Sequence, residues 1–320
     1  AECGSKFDID VQKDEDIVRR FNIKEILNDV IYSSTNKDIL ETLKLIELLN
    51  THKYILNNMI MRLEIAIAIE IKYFALTKFM PTFLEKPFTL EIVDNVITCE
   101  NVETGEINKK KLKQNYNIPP IKFTGIIDRV DINGKNISII DYKSSQSDFS
   151  LDSLELGFIS QILTYSLACE LMFGKNSEDI LGIFYREIAK LGKDLKNYRL
   201  RGLANSDLIL DDEFYEKAPE IMYVRTTKAK KIHGADSHKG FTSPELEKLV
   251  NKNLENIMKL VEKIFEFNFS LDNYEIDNQY STEKETLFNF ASNSDTRLSY
   301  KEKVELKPKD LKEKLLNDLR

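Results

Sequence analysis

The sequence predicts an α/β fold, a mixed central β-sheet flanked by helices with a helical N-terminal part, on three observations. Residues 13–80 place Ile39, Leu43, Ile46 and Leu49 at helical spacing and run from Met59 to Phe79 through an almost unbroken series of helix formers. Gly125-Ile-Ile-Asp128-Arg-Val-Asp-Ile-Asn133-Gly134-Lys-Asn-Ile-Ser-Ile-Ile-Asp141-Tyr-Lys143 reads as two β-strands around an Asn-Gly turn, the preferred dipeptide of a two-residue hairpin loop. A helical stretch over 153–173 is then followed by a strand over 180–189. The succession helix, strand, hairpin, helix, strand makes a sheet with helices against it.

Taken in order, Pro81 is predicted to end the N-terminal helix, because it cannot donate to the helical ladder. Residues 83–98 alternate as a first strand through Phe88, Leu90 and Ile92, and 99–120 form a polar, lysine-rich loop closing on Pro119-Pro120. The hairpin strands fall at about 121–132 and 136–143. Within 153–173 the apolar stripe is Leu156, Ile159, Leu163 and Leu167; Gln161 and Tyr165, four residues apart, share another side. Residues 191–240 are irregular. Ser243-Pro244 opens a long helix, with Ser as N-cap and Pro at the first helical position, and a stripe of Leu246, Leu249, Leu254, Ile257, Leu260 and Ile264. Beyond about 270 the chain is polar, with one short helix at 308–319. The division that follows is a helical part (1–80), a core (81–190) and a loop and helical part packing on that core (191–320).

At 320 residues, 42% hydrophobic and 31% charged, the chain suits one large domain or two coupled ones. Its three cysteines lack pairing-type spacing and fit a reducing cytoplasm. No apolar run approaches the roughly eighteen residues of a membrane span, so no membrane partner is expected, and the start carries no signal-peptide pattern. The chain begins Ala-Glu-Cys rather than with Met, as a piece excised from a longer polypeptide would. No G-x-x-x-x-G-K-[ST] run occurs, so ATP hydrolysis by this chain is not expected. The net charge is −7, yet Lys109, Lys110, Lys111 and Lys113 cluster, as do Arg225, Lys228, Lys230, Lys231 and Lys239 with His233 and His238. Either cluster is a candidate phosphate contact or a solvated loop.

The hairpin holds the chemistry. With Asn133-Gly134 as its loop, Ile132 pairs with Lys135, Asp128 lies opposite Ile139, and Ile126 lies opposite Asp141. Asp128 and Asp141 are then diagonal neighbours on one face, roughly 7 Å apart. Lys143, two residues beyond Asp141, joins that face. The flanking Ile126, Ile127, Ile137, Ile139 and Ile140 read as buried, where Asp is disfavoured. Two carboxylates and a lysine there suit a Mg²⁺ site with an adjacent cationic group, able to hydrolyse a phosphodiester.

Gly125-Ile-Ile-Asp128-Arg129, Asp141-Tyr142-Lys143-Ser144 and Gln161-Ile-Leu-Thr-Tyr165 match, in order, the G-x-x-D-R, D-Y-K-[ST] and Q-x-x-x-Y motifs of one family, with weaker matches at Glu85-Lys-Pro-Phe88 and Gly182-Ile-Phe-Tyr185. On these residues the chain resembles the PD-(D/E)XK nuclease superfamily, its RecB-like branch, and within that the C-terminal nuclease domain of AddB subunits of helicase–nucleases. The resemblance implies a restriction-endonuclease-like core, DNA as substrate, exonuclease action in break repair and recombination, and a helicase–nuclease partner subunit. It implies Mg²⁺ (or Mn²⁺) bound by Asp128, Asp141 and the Tyr142 backbone carbonyl, with Lys143 orienting or polarising the attacking water. Gln161 and Tyr165 would support the site or contact DNA. Glu85 would lend outer support, and Arg129 would steady the carboxylates or reach phosphate. Two features depart from the family. Its early-helix metal-binding His is matched best by Phe21-Asn-Ile-Lys24-Glu-Ile-Leu27, which puts Lys24 in the His position, with His52 as another supplier. Its four-Cys iron–sulfur cluster has at most Cys3, since no cysteine follows Cys169, so no cluster is expected. Both departures also suit a second reading, a catalytically impaired nuclease fold serving DNA binding or complex assembly.

Overall fold

The computed structural model describes residues 22–33, 50–144, 149–155, 157–187, 199–210 and 239–267, with isolated residues between and beyond. Helices α1 (Ile23–Tyr32) and α2 (Asn50–Thr77) precede five strands, β1 (Met80–Val93), β2 (Val96–Glu100), β3 (Ile107–Lys111), β4 (Ile121–Asn133) and β5 (Asn136–Lys143). Then come α3 (Leu151–Glu155), α4 (Gln161–Met172), β6 (Ile180–Glu187), β7 (Arg201–Asn205), α5 (Ser206–Ile209), the two-residue strands β8 (Thr226–Thr227), β9 (Lys231–Ile232) and β10 (Gly240–Phe241), and α6 (Ser243–Phe265).

Eight strands form one sheet in the order β10-β7-β6-β5-β4-β1-β2-β3. The β5–β6 and β7–β10 pairs are parallel and the others antiparallel, the mixed sheet the sequence predicts. One face packs on α4 and α6, joining Val130, Ile137 and Ile139 to Leu163, Leu167, Leu249 and Val250. The other carries Ile140, Leu181 and Phe184 against Tyr73 of α2 and Phe79 just beyond it. Helix α1 packs on α2 through Ile23, Leu27, Ile60 and Ala68. The sheet also draws β7 and β10 from beyond residue 190.

Several boundaries differ from the sequence reading. Helix α2 stops at Thr77, with Lys78 at φ 59, and Pro81 lies inside β1. The strand predicted over 83–98 is two strands, turned at Asp94 and Asn95 with φ 50 and 62, the paired positive φ of a type I′ loop. Part of the predicted lysine-rich loop is β3, the sheet's edge; its lysines suit an edge that must not pair with another chain. The helix predicted over 153–173 is broken, with Gly157 at φ 88 between α3 and α4, and Ile159 of its stripe is exposed; Leu156 lies outside the described residues. The N-cap of α6 is Thr242, one residue earlier than predicted; it accepts from the Glu245 N–H while the Glu245 carboxylate accepts from the Thr242 N–H, and Leu260 and Ile264 of the stripe are exposed. Among the described residues no helix is long and apolar enough to cross a membrane.

The sheet is locally irregular where the hairpin's first carboxylate sits. Phe123 and Ile127 of β4 pack into the same core as Val130 and Ile132, so inward alternation changes phase between Ile127 and Val130. Opposite, Glu85 takes φ 47, between the Leu84–Arg129 and Lys86–Ile127 pairs. Such a kink re-aims side chains. Gly125 stands just before it, and a Cβ there would lie 2.6 Å from two atoms of the Phe88 ring. Gly125→Ala is therefore expected to lower stability by about 1–3 kcal/mol through overpacking, read as a fall in melting temperature.

Candidate active site

Strands β4 and β5 pair from Asn133↔Asn136 to Arg129↔Ile140. The hairpin loop is thus Gly134-Lys135, with Gly134 at φ 59 in its first position, where a type II′ loop takes glycine. The predicted loop, Asn133-Gly134, is displaced by one residue, and each residue of β4 meets a partner two positions further along β5. An even shift leaves Asp128, Asp141 and Lys143 on the one face predicted for them. It moves Asp128 from diagonal to Asp141 to level with it. Past Arg129 the backbone ladder gives way to a side chain: Asp128 Oδ2 accepts the Tyr142 N–H at 2.8 Å.

Asp141, on β5 between antiparallel β4 and parallel β6, is 1% exposed. Burial raises its pKa, the close approach and charge of Lys143 lower it, and the charge of Asp128 raises it; the net direction is upward. Lys143 places Nζ 2.5 Å from Asp141 Oδ2 and donates to Gln161 Oε1 at 2.9 Å, with the Tyr185 ring 5.6 Å beneath the ammonium. Gln161, the first residue of α4, donates from Nε2 to Tyr165 Oη at 2.6 Å. The Tyr165 ring meets Phe88 edge-on at 5.9 Å between centroids. Burial raises the Tyr165 pKa, the Gln161 hydrogen bond lowers it, and the charges of Asp141, Asp128 and Glu85 raise it further. Those three carboxylates thus share one electrostatic environment with the α4 N-terminus.

The start of α4 is held from α6. Asn253 accepts the Ser160 N–H at 2.6 Å and donates to Thr164 Oγ1 at 3.0 Å, while Asn256 donates to the carbonyls of Leu154 and Phe158. A divalent cation fits the hairpin's donor set. Asp141 Oδ2 is buried with no hydrogen bond of good geometry, its ion pair with Lys143 being off-angle, and carboxylate oxygens are the hard ligands such ions take. Among the described residues no three His, Cys, Asp or Glu side chains converge as a metal cage, so side chains supply two carboxylates at most.

Asp128, Asp141, Lys143, Gln161 and Tyr165 are therefore brought together, with Glu85 nearby on β1. Arg129 is not among them and touches neither Asp128 nor Asp141, which corrects the expectation that it reaches phosphate; its bearing on the carboxylates runs through Tyr142. Alternation turns it to the opposite face, where it is 2% exposed and donates to both oxygens of Asp131 and, through Nη1, to Glu70 Oε2 and Tyr142 Oη. Lys24 and His52 lie exposed on α1 and α2. Lys110 is paired with Glu170 at 3.3 Å on the sheet's edge strand, and of the second cationic cluster Arg225, Lys228, Lys230, His233 and His238 lie outside the described residues, as does Cys3. Glu70, Arg186, Asn253 and Asn256 carry no motif and were not singled out from sequence.

Known proteins match this region of the chain. The family model of the PD-(D/E)XK nuclease superfamily matches residues 40–275. The chain belongs to that superfamily, whose members generally use divalent metal ions. More particularly, it is similar to a protein of Carboxydothermus hydrogenoformans named as a subunit of an ATP-dependent helicase/deoxyribonuclease, 31% identical over 206 residues, 55% of this chain and 18% of that protein. The protein of the same name from a Thermoanaerobacter species is 31% identical over 193 residues, 50% of this chain and 17% of that protein. That of Streptococcus mutans is 31% identical over 104 residues, 29% of this chain and 10% of that protein. The matched region spans less than a fifth of each relative's length.

The upward shift at Asp141 has a sign in stability. A carboxyl whose folded pKa exceeds its unfolded value of about 3.9 contributes stability below that value and loses it as pH rises through the folded pKa. Without metal, Asp141→Asn is expected to melt higher than the parent at pH 7.5 and to lose that advantage as pH falls towards 4, as followed by thermal denaturation in EDTA.

Proposed function

We propose that this chain is a metal-dependent DNA nuclease, the nuclease part of an AddB-type helicase–nuclease subunit acting as an exonuclease in break repair. The carrying observation is the approach of Lys143 to the buried Asp141, level with Asp128 and braced by Gln161. Similarity to proteins named for helicase and deoxyribonuclease activity supports DNA as substrate and a helicase–nuclease partner, and three cysteines without pairing-type spacing favour a reducing, cytoplasmic setting.

Asp128 and Asp141, with the Tyr142 carbonyl, would hold Mg²⁺ or Mn²⁺. When bound, the ion supplies positive charge that acidifies water and offsets the charge developing on phosphate. Lys143, tied to Gln161 and to Asp141, is limited to a narrow range of positions, so its ammonium can orient the attacking water and stabilise the phosphate oxygens as water attacks phosphorus and one bridging P–O bond breaks. Tyr165 fixes Gln161, and Glu85 keeps a further negative charge beside the site.

Release of nucleotides from labelled single- and double-stranded DNA with Mg²⁺ or Mn²⁺ tests this. Asp141→Ala and Lys143→Ala are each expected to slow cleavage by at least about 100-fold. Equal cleavage by both variants and the parent would sink the reading. Lys24, standing where relatives of this family place a histidine, favours one second reading, a nuclease fold serving DNA binding or assembly without cleavage; calorimetry with Mn²⁺ separates the two, since such a module need bind no metal.

A further inference from the structure

Beneath the site, on the sheet's other face, lies a buried ionic network in which the motif residues Arg129 and Tyr142 meet Glu70, Asp131 and Arg186, which belong to no motif. Arg129 Nη1 donates to Glu70 Oε2 and to Tyr142 Oη, each at 2.7 Å. Its Nε and Nη2 grip Asp131 at 2.6 and 2.5 Å. Arg186 Nε stands 2.8 Å from the other Glu70 oxygen. The rings of Tyr73 and Phe74 lie 5.8 and 5.1 Å from the Arg129 guanidinium carbon. Burial alone would lower the Arg129 pKa, but the Asp131 hydrogen bonds and the charges of Glu70 and Asp131 outweigh it, so the guanidinium stays charged. Two arginines and two carboxylates thus neutralise one another out of water.

Tyr142 is the link between this network and the site. Its phenol accepts from Arg129 on the α2 face, while its backbone N–H donates to Asp128 Oδ2 on the β4 side. That second bond falls where the β4–β5 ladder has ended, so on the β4 side no backbone pairing fixes Tyr142; on the other side it pairs with Arg186 of β6, which also meets Glu70. The geometry points to Glu70 as a positioning residue: through Arg129 it anchors the Tyr142 ring, and the anchored ring sets the N–H that aims the Asp128 carboxylate at the metal position. The inference rests on the nuclease reading only for its consequence in metal binding; the link from Glu70 to the Tyr142 N–H stands apart from it.

The experiment has two readouts. Native-state hydrogen exchange of the Tyr142 amide, taken relative to the Ile139 amide of the same strand, reads the link without metal. Mn²⁺ titration by electron paramagnetic resonance reads its consequence. Tyr142→Phe keeps the ring and leaves Arg129 bound to both carboxylates, so it should fold; Glu70→Gln is the second variant and Ile60→Val, in the α1–α2 contact, the stability control. Loss of one charge-assisted hydrogen bond should speed Tyr142 exchange relative to Ile139 and weaken Mn²⁺ binding, each by roughly 5- to 30-fold, with KM for DNA unchanged. Ile60→Val should change neither ratio. If Tyr142 and Ile139 exchange speed up together in the variants, the network is only structural and the inference fails. If the parent binds no Mn²⁺ while the relative exchange still shifts, the positioning link stands and the nuclease reading is what falls.

Discussion

Keeping charge inside a sheet covered on both faces is the constraint on which the rest of this structure depends. Strand β5 carries Ser138, Asp141 and Tyr142 among buried isoleucines, and β4 beside it carries Asp128, Arg129 and Asp131. An isolated buried charge costs far more than any single packing contact returns, so each must find a partner. On the α2 face the charges balance: Arg129 and Arg186 pair with Glu70 and Asp131, and Tyr73 donates to Ser138 at 3.3 Å. On the α4 face two carboxylates, Asp128 and Asp141, have one lysine between them. Asp141 has Lys143, but its nearer oxygen is left without a well-aligned donor, and burial, with the charge of Asp128, raises its pKa. The balanced face is structural, and the face with a carboxylate in excess is where a cation has something to gain.

What the sequence disclosed and what it withheld divide along physical lines. The faces of Asp128, Asp141 and Lys143 were legible because strand alternation has a period of two and the true register differs by an even number. The loop itself was not, since Asn133, Gly134 and Lys135 serve either of two hairpin turns, and the choice rests on the neighbouring strands. Gln161 and Tyr165 were placed on one helix side by their spacing, and they do meet. Arg129 was misplaced by adjacency to Asp128, although alternation alone sends the next residue to the other face. Glu70 could not have been found, as it lies 59 residues from Arg129 on a helix without periodic signal for it. Strand β3 escaped notice because Ile107-Asn-Lys-Lys-Lys111 lacks apolar alternation, an edge strand being held by one partner and solvated on its far side.

The irregularity at Asp128 joins the two halves of this account. A regular β4 would alternate without interruption, and the residue pairing with Asp141 would be fixed by backbone hydrogen bonds. Here the ladder ends at Arg129, the inward phase changes by Val130, and Glu85 opposite adopts a left-handed φ that a non-glycine residue rarely takes. The Asp128 carboxylate is freed from the ladder and held instead by one N–H from Tyr142. Because Asp141 and Tyr142 are consecutive in one strand, a displacement of the Tyr142 ring moves the backbone that carries Asp141 as well. The docking of α2 and the spacing of the two carboxylates are therefore not independent: a change in how α2 sits, transmitted through Glu70 and Arg129, reaches both carboxylates through a single residue.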